Sequence, residues 1–311
     1  MAQTDISEIN SAAKADALRL ITDAEERYKN FTREIATRVA ENENIRIILL
    51  AGPSGSGKTT TANLLADTIR ARGLESFVLS LDNFYLDSTD PRYPRLDNGE
   101  RDYESVDALD IESLENVLVN IASGREFSVP RYDFKVGARV SESLYPKISH
   151  GCVIIEGLHA LNPRIFEHLP KERLLKIFIS VSTNITYDGE RIISGRKIRF
   201  LRRMIRDSIY RGADAERTLE MWSGVLHGED KYLYPFRKNA DVEFDTFHPF
   251  ELGVMSPYAK RLISDELAER DEYAKTVLSA ISLAVPIDEA LVPEDSLIRE
   301  FITGGIYEEF Y

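Results

Sequence analysis

From Gly52 to Thr59 the chain reads Gly-Pro-Ser-Gly-Ser-Gly-Lys-Thr, with a second threonine, Thr60, directly behind. The spacing satisfies G-x-x-x-x-G-K-[ST], and it falls between the apolar run "IRIILL" and the helix-forming stretch "TTTANLLADTIRARG". Glycines let a backbone wrap closely around oxygen atoms, and consecutive N–H groups at a helix N-terminus point toward negative charge. Gly52, Ser54, Gly55, Ser56, Gly57, Lys58, Thr59 and Thr60 are therefore candidate ligands for the phosphates of ATP or GTP. Within that set Lys58 would reach the β- and γ-phosphates, and the Thr59 hydroxyl would ligate Mg²⁺. A turn that only joined a strand to a helix would require neither residue.

Two acids end apolar runs elsewhere. "VLSLDNFY" carries Asp82 and "CVIIEG" carries Glu156. If both runs are parallel strands, their carboxyl ends line the ligand crevice. A carboxylate at 82 would accept the proton of an attacking hydroxyl, and one at 156 would serve as a second Mg²⁺ contact. In "SGRKIRFLRRMIRDSIYRG", Ile198, Leu201, Ile205 and Ile209 fall on one helical stripe, and Arg199, Arg203 and Arg206 share another. Guanidinium groups closing over a triphosphate would neutralise charge on the transferred phosphoryl group.

The elements that must carry these groups follow from periodicity. Five short apolar runs, "IRIILLAG", "SFVLSLD", "CVIIEG", "LLKIFISV" and "ADVEFD", are separated by helical stretches, the pattern of parallel strands buried on both faces. Residues 1–44 show helical spacing (Ile9, Ala12, Ala13, Leu18, Leu20, Ile21), and the stretch from about 253 returns to it until Pro286 and Pro293 interrupt. The expected organisation is a helical N-terminal extension (1–44), an α/β core (45–252) and a helical C-terminal tail (253–311). With 311 residues and 43% hydrophobic content the chain can bury a large core. A net charge of −13 argues against nucleic acid as a general partner. The lone Cys152 reads as a small buried hydrophobe. With neither a signal-peptide pattern nor an apolar stretch near 20 residues, the expected location is the cytoplasm, away from membranes.

Seven blocks in order, "GPSGSGKTT", "SLDNFY", "DYESVDALD", "VPRYDFKVGAR", "VIIEGLHALNP", "RRMIRDSIYRG" and "YPFRKNADVEFD", resemble the uridine kinase and phosphoribulokinase family of P-loop kinases, in its uridine kinase branch. The resemblance spans about residues 45–252. It implies a three-layer fold on a five-stranded parallel sheet, an ATP or GTP donor with Mg²⁺, a small-molecule acceptor and a homo-oligomer. It further implies Asp82 as the base facing a ribose 5′-hydroxyl and Lys58, Arg203 and Arg206 around the transferred phosphoryl, with Arg211 a weaker lid match. Tyr85, Glu104, Tyr132 and Arg203 become acceptor contacts, Tyr132 packing on the nucleobase, and Thr59 with Glu156 the metal contacts. The tail "EDSLIREFITGG" resembles the end of bacterial nucleoside kinases that carry a further small domain ahead of the kinase.

Two positions depart from that pattern. Glu104 stands where the family has an aspartate on the ribose hydroxyls, and Gly137 stands where it has a histidine that recognises the pyrimidine. The expected reaction is phosphorylation of a nucleoside hydroxyl, uridine first. Phosphoribulokinase-like or pantothenate kinase-like acceptors, and a nucleotide-binding switch without transfer, are the alternatives. The chain has no N-K-x-D guanine-reading motif, which weighs against the switch.

Overall fold

Every residue of the strand Ile47–Ala51 is buried, a state a strand reaches inside a sheet covered on both faces. The computed structural model of the chain describes residues 2–96, 99–133 and 136–308, so Met1 and the last three residues of the predicted tail lie outside the described residues.

In chain order, β1 (Gln3–Asp5) leads into α1 (Ile6–Glu41), followed by β2 (Ile47–Ala51), α2 (Lys58–Arg70) and β3 (Glu75–Ser80). Next come α3 (Ile111–Ala122), β4 (Phe127–Asp133), β5 (Ala138–Tyr145), β6 (Gly151–Glu156), the one-turn α4 (Pro163–Phe166) and β7 (Leu174–Ser180). The chain continues through β8 (Asn184–Tyr187), β9 (Glu190–Ile193), α5 (Gly195–Arg211), α6 (Ala215–Tyr232), β10 (Val242–Asp245), α7 (Glu251–Leu262), α8 (Asp265–Arg270) and α9 (Glu272–Leu283).

The five predicted runs form one all-parallel sheet in the order β10-β7-β2-β6-β3. Alternate side chains of β2 enter different cores, as the two-residue period of a strand dictates. Ile48 and Leu50 meet Phe31, Ile35 and Val39 of α1 and Leu65 and Ile69 of α2, whereas Ile47, Leu49 and Ala51 face Leu114 and Leu118 of α3. Helices on both faces of one sheet make the three-layer α/β fold. Cys152 lies in the first of these cores, fully buried, and burial pushes its thiol up to about 12. A third core joins α1, α5, α7 and α9 to the tail residues Leu297, Ile298 and Phe301.

Three local features were not legible as periodicity. Asp16 leaves the helical region (φ −162°, ψ 91°), and its Oδ1 accepts the Arg19 N–H at 2.9 Å, so α1 is two helical segments with an aspartate capping the second. β4 and β5 pair as an antiparallel hairpin with a bulge at Arg131/Tyr132, while β1 adds in parallel to the β8–β9 hairpin. The single helical stretch expected after 253 is divided into α7, α8 and α9 because Ser264 and Asp271 cap new starts, accepting from the Leu267 and Ala274 N–H groups. Among the described residues no helix is long and apolar enough to cross a membrane.

α1 is joined to the tail by a buried polar knot. Ser296 Oγ donates to Glu25 Oε1 at 2.5 Å, and His248 Nε2 lies 3.8 Å from the same oxygen. Burial holds Glu25 up at about 7 and drives His248 down to about 3. The folded state therefore keeps a proton on Glu25 that the unfolded chain, titrating near 4.5, releases. The Glu25 contribution to stability falls as pH rises from about 4.5 through 7 and levels off above that, while His248, lowered by burial, contributes with the opposite sign below its ordinary value. Glu25→Gln should remove this component and stabilise the protein by about 3 kcal/mol at pH 8 while leaving it nearly unchanged at pH 4.5, the scale that follows from 1.36 kcal/mol per pKa unit. Chemical denaturation across that pH range checks it; a stability gap independent of pH would contradict it.

Candidate active site

The strand order brings the sequence candidates to one edge. β6 lies between β2 and β3, and both Leu50 and Ser80 register against Glu156. The Gly52–Thr59 loop leaving β2, the carboxylate ending β6 and Asp82 just beyond β3 therefore sit side by side. Gly57 caps α2 at φ +85°, a left-handed conformation that favours glycine. Lys58 Nζ donates to Pro53 O at 3.2 Å, folding the side chain over its own loop.

The charges of these groups are coupled. Asp82 is exposed, yet enough protein surrounds its carboxylate that burial raises its pKa, opposed by the positive charges of Lys58, Arg211 and Arg206. Glu156 is buried and is pushed up to about 7 by desolvation and then by the charge of Asp82, with Lys58 and the Ser80 hydroxyl pulling the other way. Glu104 also rises to about 7 through desolvation, against the charge of Arg203. Three acids and the arginines of α5 thus share one electrostatic neighbourhood.

The α5 arginines divide into two kinds, which corrects the grouping of Arg199 with Arg203 and Arg206. Arg199 is fully buried and paired with Glu229 of α6 at 2.7 and 2.8 Å; its Nη1 also donates to Ser54 O at 2.7 Å. Arg202, in the same situation, pairs with Glu251 at 2.6 and 3.0 Å and donates to Gly55 O at 3.3 Å and Thr246 O at 2.8 Å. Thr246 Oγ1 donates to Ser56 O at 2.8 Å. In a trans peptide the C=O of one residue and the N–H of the next point oppositely. Holding the carbonyls of Ser54, Gly55 and Ser56 through Arg199, Arg202 and Thr246 therefore turns the N–H groups of Gly55, Ser56 and Gly57 away from those side chains; the Ser56 N–H closes a turn onto Pro53 O at 3.2 Å.

Besides Ser56, two more amides in the set are engaged by protein. The Ser54 N–H donates to Glu229 Oε1 at 3.0 Å, and the Thr60 N–H reaches Glu300 Oε2 at 3.4 Å. Arg203 and Arg206 are half-buried, between the enclosed pair and the more open Arg196 and Arg211 at the ends of α5. Arg203 donates to Ser54 Oγ at 2.8 Å and to Asp207 at 3.1 Å; Arg206 pairs with Glu300 at 3.3 Å. Arg211 pairs with the buried Asp207 at 3.2 Å. Arg202, Glu229, Glu251, Thr246 and Glu300 escaped sequence reasoning. Helical spacing does show that Arg202 lies three residues from Arg199, but its carboxylate partner is far along the chain.

On the other side of Asp82, the Tyr85 and Tyr132 rings lie 5.8 Å apart, and Tyr85 OH donates to Tyr103 O at 3.0 Å. Glu104 packs on Gly228 of α6, where a Cβ would come within 2.6 Å of its side chain. Gly137 has φ +71°, and a Cβ there would meet Ser88 Oγ at 2.8 Å. The turn, and not only the residue type, thus keeps an imidazole away from that position. An open depression of about 470 Å³ bordered by Leu86, Arg92, Pro94, Asp110 and Arg164 is separate; none of Lys58, Asp82, Glu104 or Glu156 lines it.

Comparison with known proteins matches residues 47–250 to the phosphoribulokinase / uridine kinase family. A uridine kinase of Schizosaccharomyces pombe is 32% identical over 196 residues, 63% of this chain and 37% of that protein. A uridine kinase of Deinococcus deserti is 29% identical over 198 residues, 63% of this chain and 85% of that protein. The match thus spans little more than a third of the fission-yeast protein and most of the bacterial one. Among solved structures, a D-glycerate 3-kinase from Cryptococcus neoformans superposes with a TM-score of 0.47 at 17% identity, covering 70% of this chain and 89% of its own.

The buried clamp has a measurable consequence. Glu229→Ala would leave the Arg199 guanidinium charged and unpaired in the interior, a change that costs about 3–5 kcal/mol. Urea denaturation should show that loss, and a loss under about 1 kcal/mol would mean that the pair contributes no more than an exposed one.

Proposed function

The chain belongs to the phosphoribulokinase / uridine kinase family, and we propose that it transfers the γ-phosphoryl group of ATP or GTP to a hydroxyl of a nucleoside, with the uridine 5′-hydroxyl as the leading acceptor. The observation that carries this reading is the adjacency of Asp82 to the P-loop, with Lys58, Arg211 and Arg206 all acting on its charge. A switch that only bound nucleotide would have little use for a second carboxylate, Asp82, placed opposite the loop in addition to Glu156.

In this reading the acceptor hydroxyl attacks the γ-phosphorus, the bond to the β-bridging oxygen breaks, and the hydroxyl proton passes to Asp82. Lys58, Arg203 and Arg206 stabilise charge on the transferred group, and the outward-held carbonyls of the loop keep its amides aimed at the phosphates. Thr59 and Glu156 would hold Mg²⁺. They fit that ion because both offer hard oxygen donors, and Mg²⁺ in kinase sites takes one or two protein oxygens with the substrate phosphates completing its shell. Bound there, the ion would neutralise phosphate charge.

Tyr132 and Tyr85 offer a planar ring an aromatic surface, and Glu104 with Arg203 offers hydrogen bonds to sugar hydroxyls. With glycine at 137 these contacts hold the sugar and the ring face without an imidazole to read the pyrimidine edge, so other nucleosides compete more closely with uridine. The expected setting is cytoplasmic, as a homo-oligomer.

Asp82→Asn should bind Mg·ATP as the parent does and lower transfer by about 10²-fold or more, whereas Lys58→Ala should weaken donor binding and turnover together. ADP release measured against a panel of nucleosides, pantothenate and pentose phosphates tests the acceptor. Near-normal turnover by Asp82→Asn would remove this residue as the base, and release with a pentose phosphate alone would overturn the nucleoside assignment.

A further inference from the structure

Beyond the catalytic groups, the segment following Pro293 closes over the loop that would bind the donor. Glu300, 2% exposed, accepts from Thr60 Oγ1 at 2.8 Å and from the Thr60 N–H at 3.4 Å with one oxygen, and from Arg206 Nη1 at 3.3 Å with the other. The wholly buried Leu297 presses on Gly57, where a Cβ would come within 2.4 Å of its Cδ1. Two further contacts fasten the same stretch: Tyr210 OH donates to Ile302 O at 2.9 Å, and Tyr307 OH to Asp67 Oδ2 of α2 at 2.6 Å.

The first-turn amides of the helix behind a P-loop carry the positive end of the helix dipole and are the groups that cradle donor phosphates. An arginine at the same place is a fork suited to phosphate oxygens. Glu300 meets one group of each kind with a single carboxylate, so a protein anion stands where a ligand anion would bind. A phosphate oxygen cannot take the Thr60 amide while that carboxylate holds it, because two anions would share one donor in a water-poor pocket.

We propose that Glu300 is an internal competitor for the donor phosphates: the Leu297–Glu300 turn keeps the loop closed, and the nucleotide seats when that turn releases Thr60 and Arg206. This rests on the donor-binding reading above and adds a regulation of the same site. If the turn is closed nine times in ten, its release tightens apparent donor affinity about tenfold, since apparent Kd is the intrinsic Kd divided by the competent fraction. A carboxylate that only braced the helix would act oppositely, its loss leaving affinity unchanged or weaker.

Isothermal titration of the full chain with Mg²⁺ and a non-hydrolysable ATP analogue separates these outcomes. Glu300→Gln, which keeps the side-chain shape and removes the charge, should bind about tenfold more tightly than the parent. Tyr307→Phe, which loosens the segment away from the phosphates, should bind more tightly by a smaller factor. Equal or weaker binding by Glu300→Gln with a parental circular dichroism spectrum and melting temperature overturns the proposal. If Glu300→Gln does not fold, Tyr307→Phe decides on the same criterion. Binding by the parent without a gain in the variants sinks the competitor alone; no binding by any of the three proteins sinks the donor site together with it.

Discussion

A glycine-rich loop has few side chains with which to fix its own shape, so something outside it must hold its backbone. Here that constraint is met by two fully buried arginines of α5, each locked to a carboxylate and each donating to a loop carbonyl. The pairing accounts for two of the arginines of α5, Arg199 and Arg202, as internal scaffolding. Burying two charged pairs is costly unless the geometry is good and the remaining donors are satisfied. The extra bonds to Gly55 and Thr246 engage the remaining Arg202 donors, the one to Ser54 adds to the Arg199 pair while its Nε stays without a partner, and together they couple the loop to α6 through Glu229 and to α7 through Glu251. The shape of the Gly52–Thr59 loop is therefore decided by α5, α6 and α7, whose residues touch it although they are far along the chain.

The same arrangement shapes the charge of the cleft. The chain is acidic overall, with a net charge of −13, and it brings Asp82, Glu104 and Glu156 within reach of one another. Burial first, then repulsion from Asp82 on Glu156 and from Glu229 and Asp82 on Glu104, holds both at about 7. Cationic ligands and phosphate-bound metal relieve such repulsion, whereas a free anion would have to be met by Lys58 and the arginines. The tail enters this balance too, because Glu300 uses part of the positive charge of Arg206.

α1 and the described part of the tail belong to the core. The second segment of α1 covers one face of the sheet with Phe31, Ile35 and Val39, and its Glu25 meets Ser296 of the tail and His248 after β10 in a buried polar knot. Lys29 of α1 adds an ion pair to Asp295 at 2.6 Å. α1 and the tail are thereby joined next to the strand that delivers the P-loop.

The amino-acid sequence by itself determined the sheet, the P-loop and its helix, and the acids at the end of β6 and just beyond β3, because each of these is written in short-range periodicity or in a motif of adjacent residues. It also marked Gly137 and Glu104 as the positions where acceptor recognition departs from the family pattern. The tertiary structure alone decided which arginines face inward: Arg199 and Arg203 are neighbours on one helical face, and their difference comes from Glu229, 30 residues beyond Arg199. It alone decided that Glu300 reaches Thr60, 240 residues away, and that an exposed-looking acid such as Glu25 is buried against the tail. Partners separated by that much chain leave no local pattern, and burial, which sets what a charge does, is a property of the packed molecule.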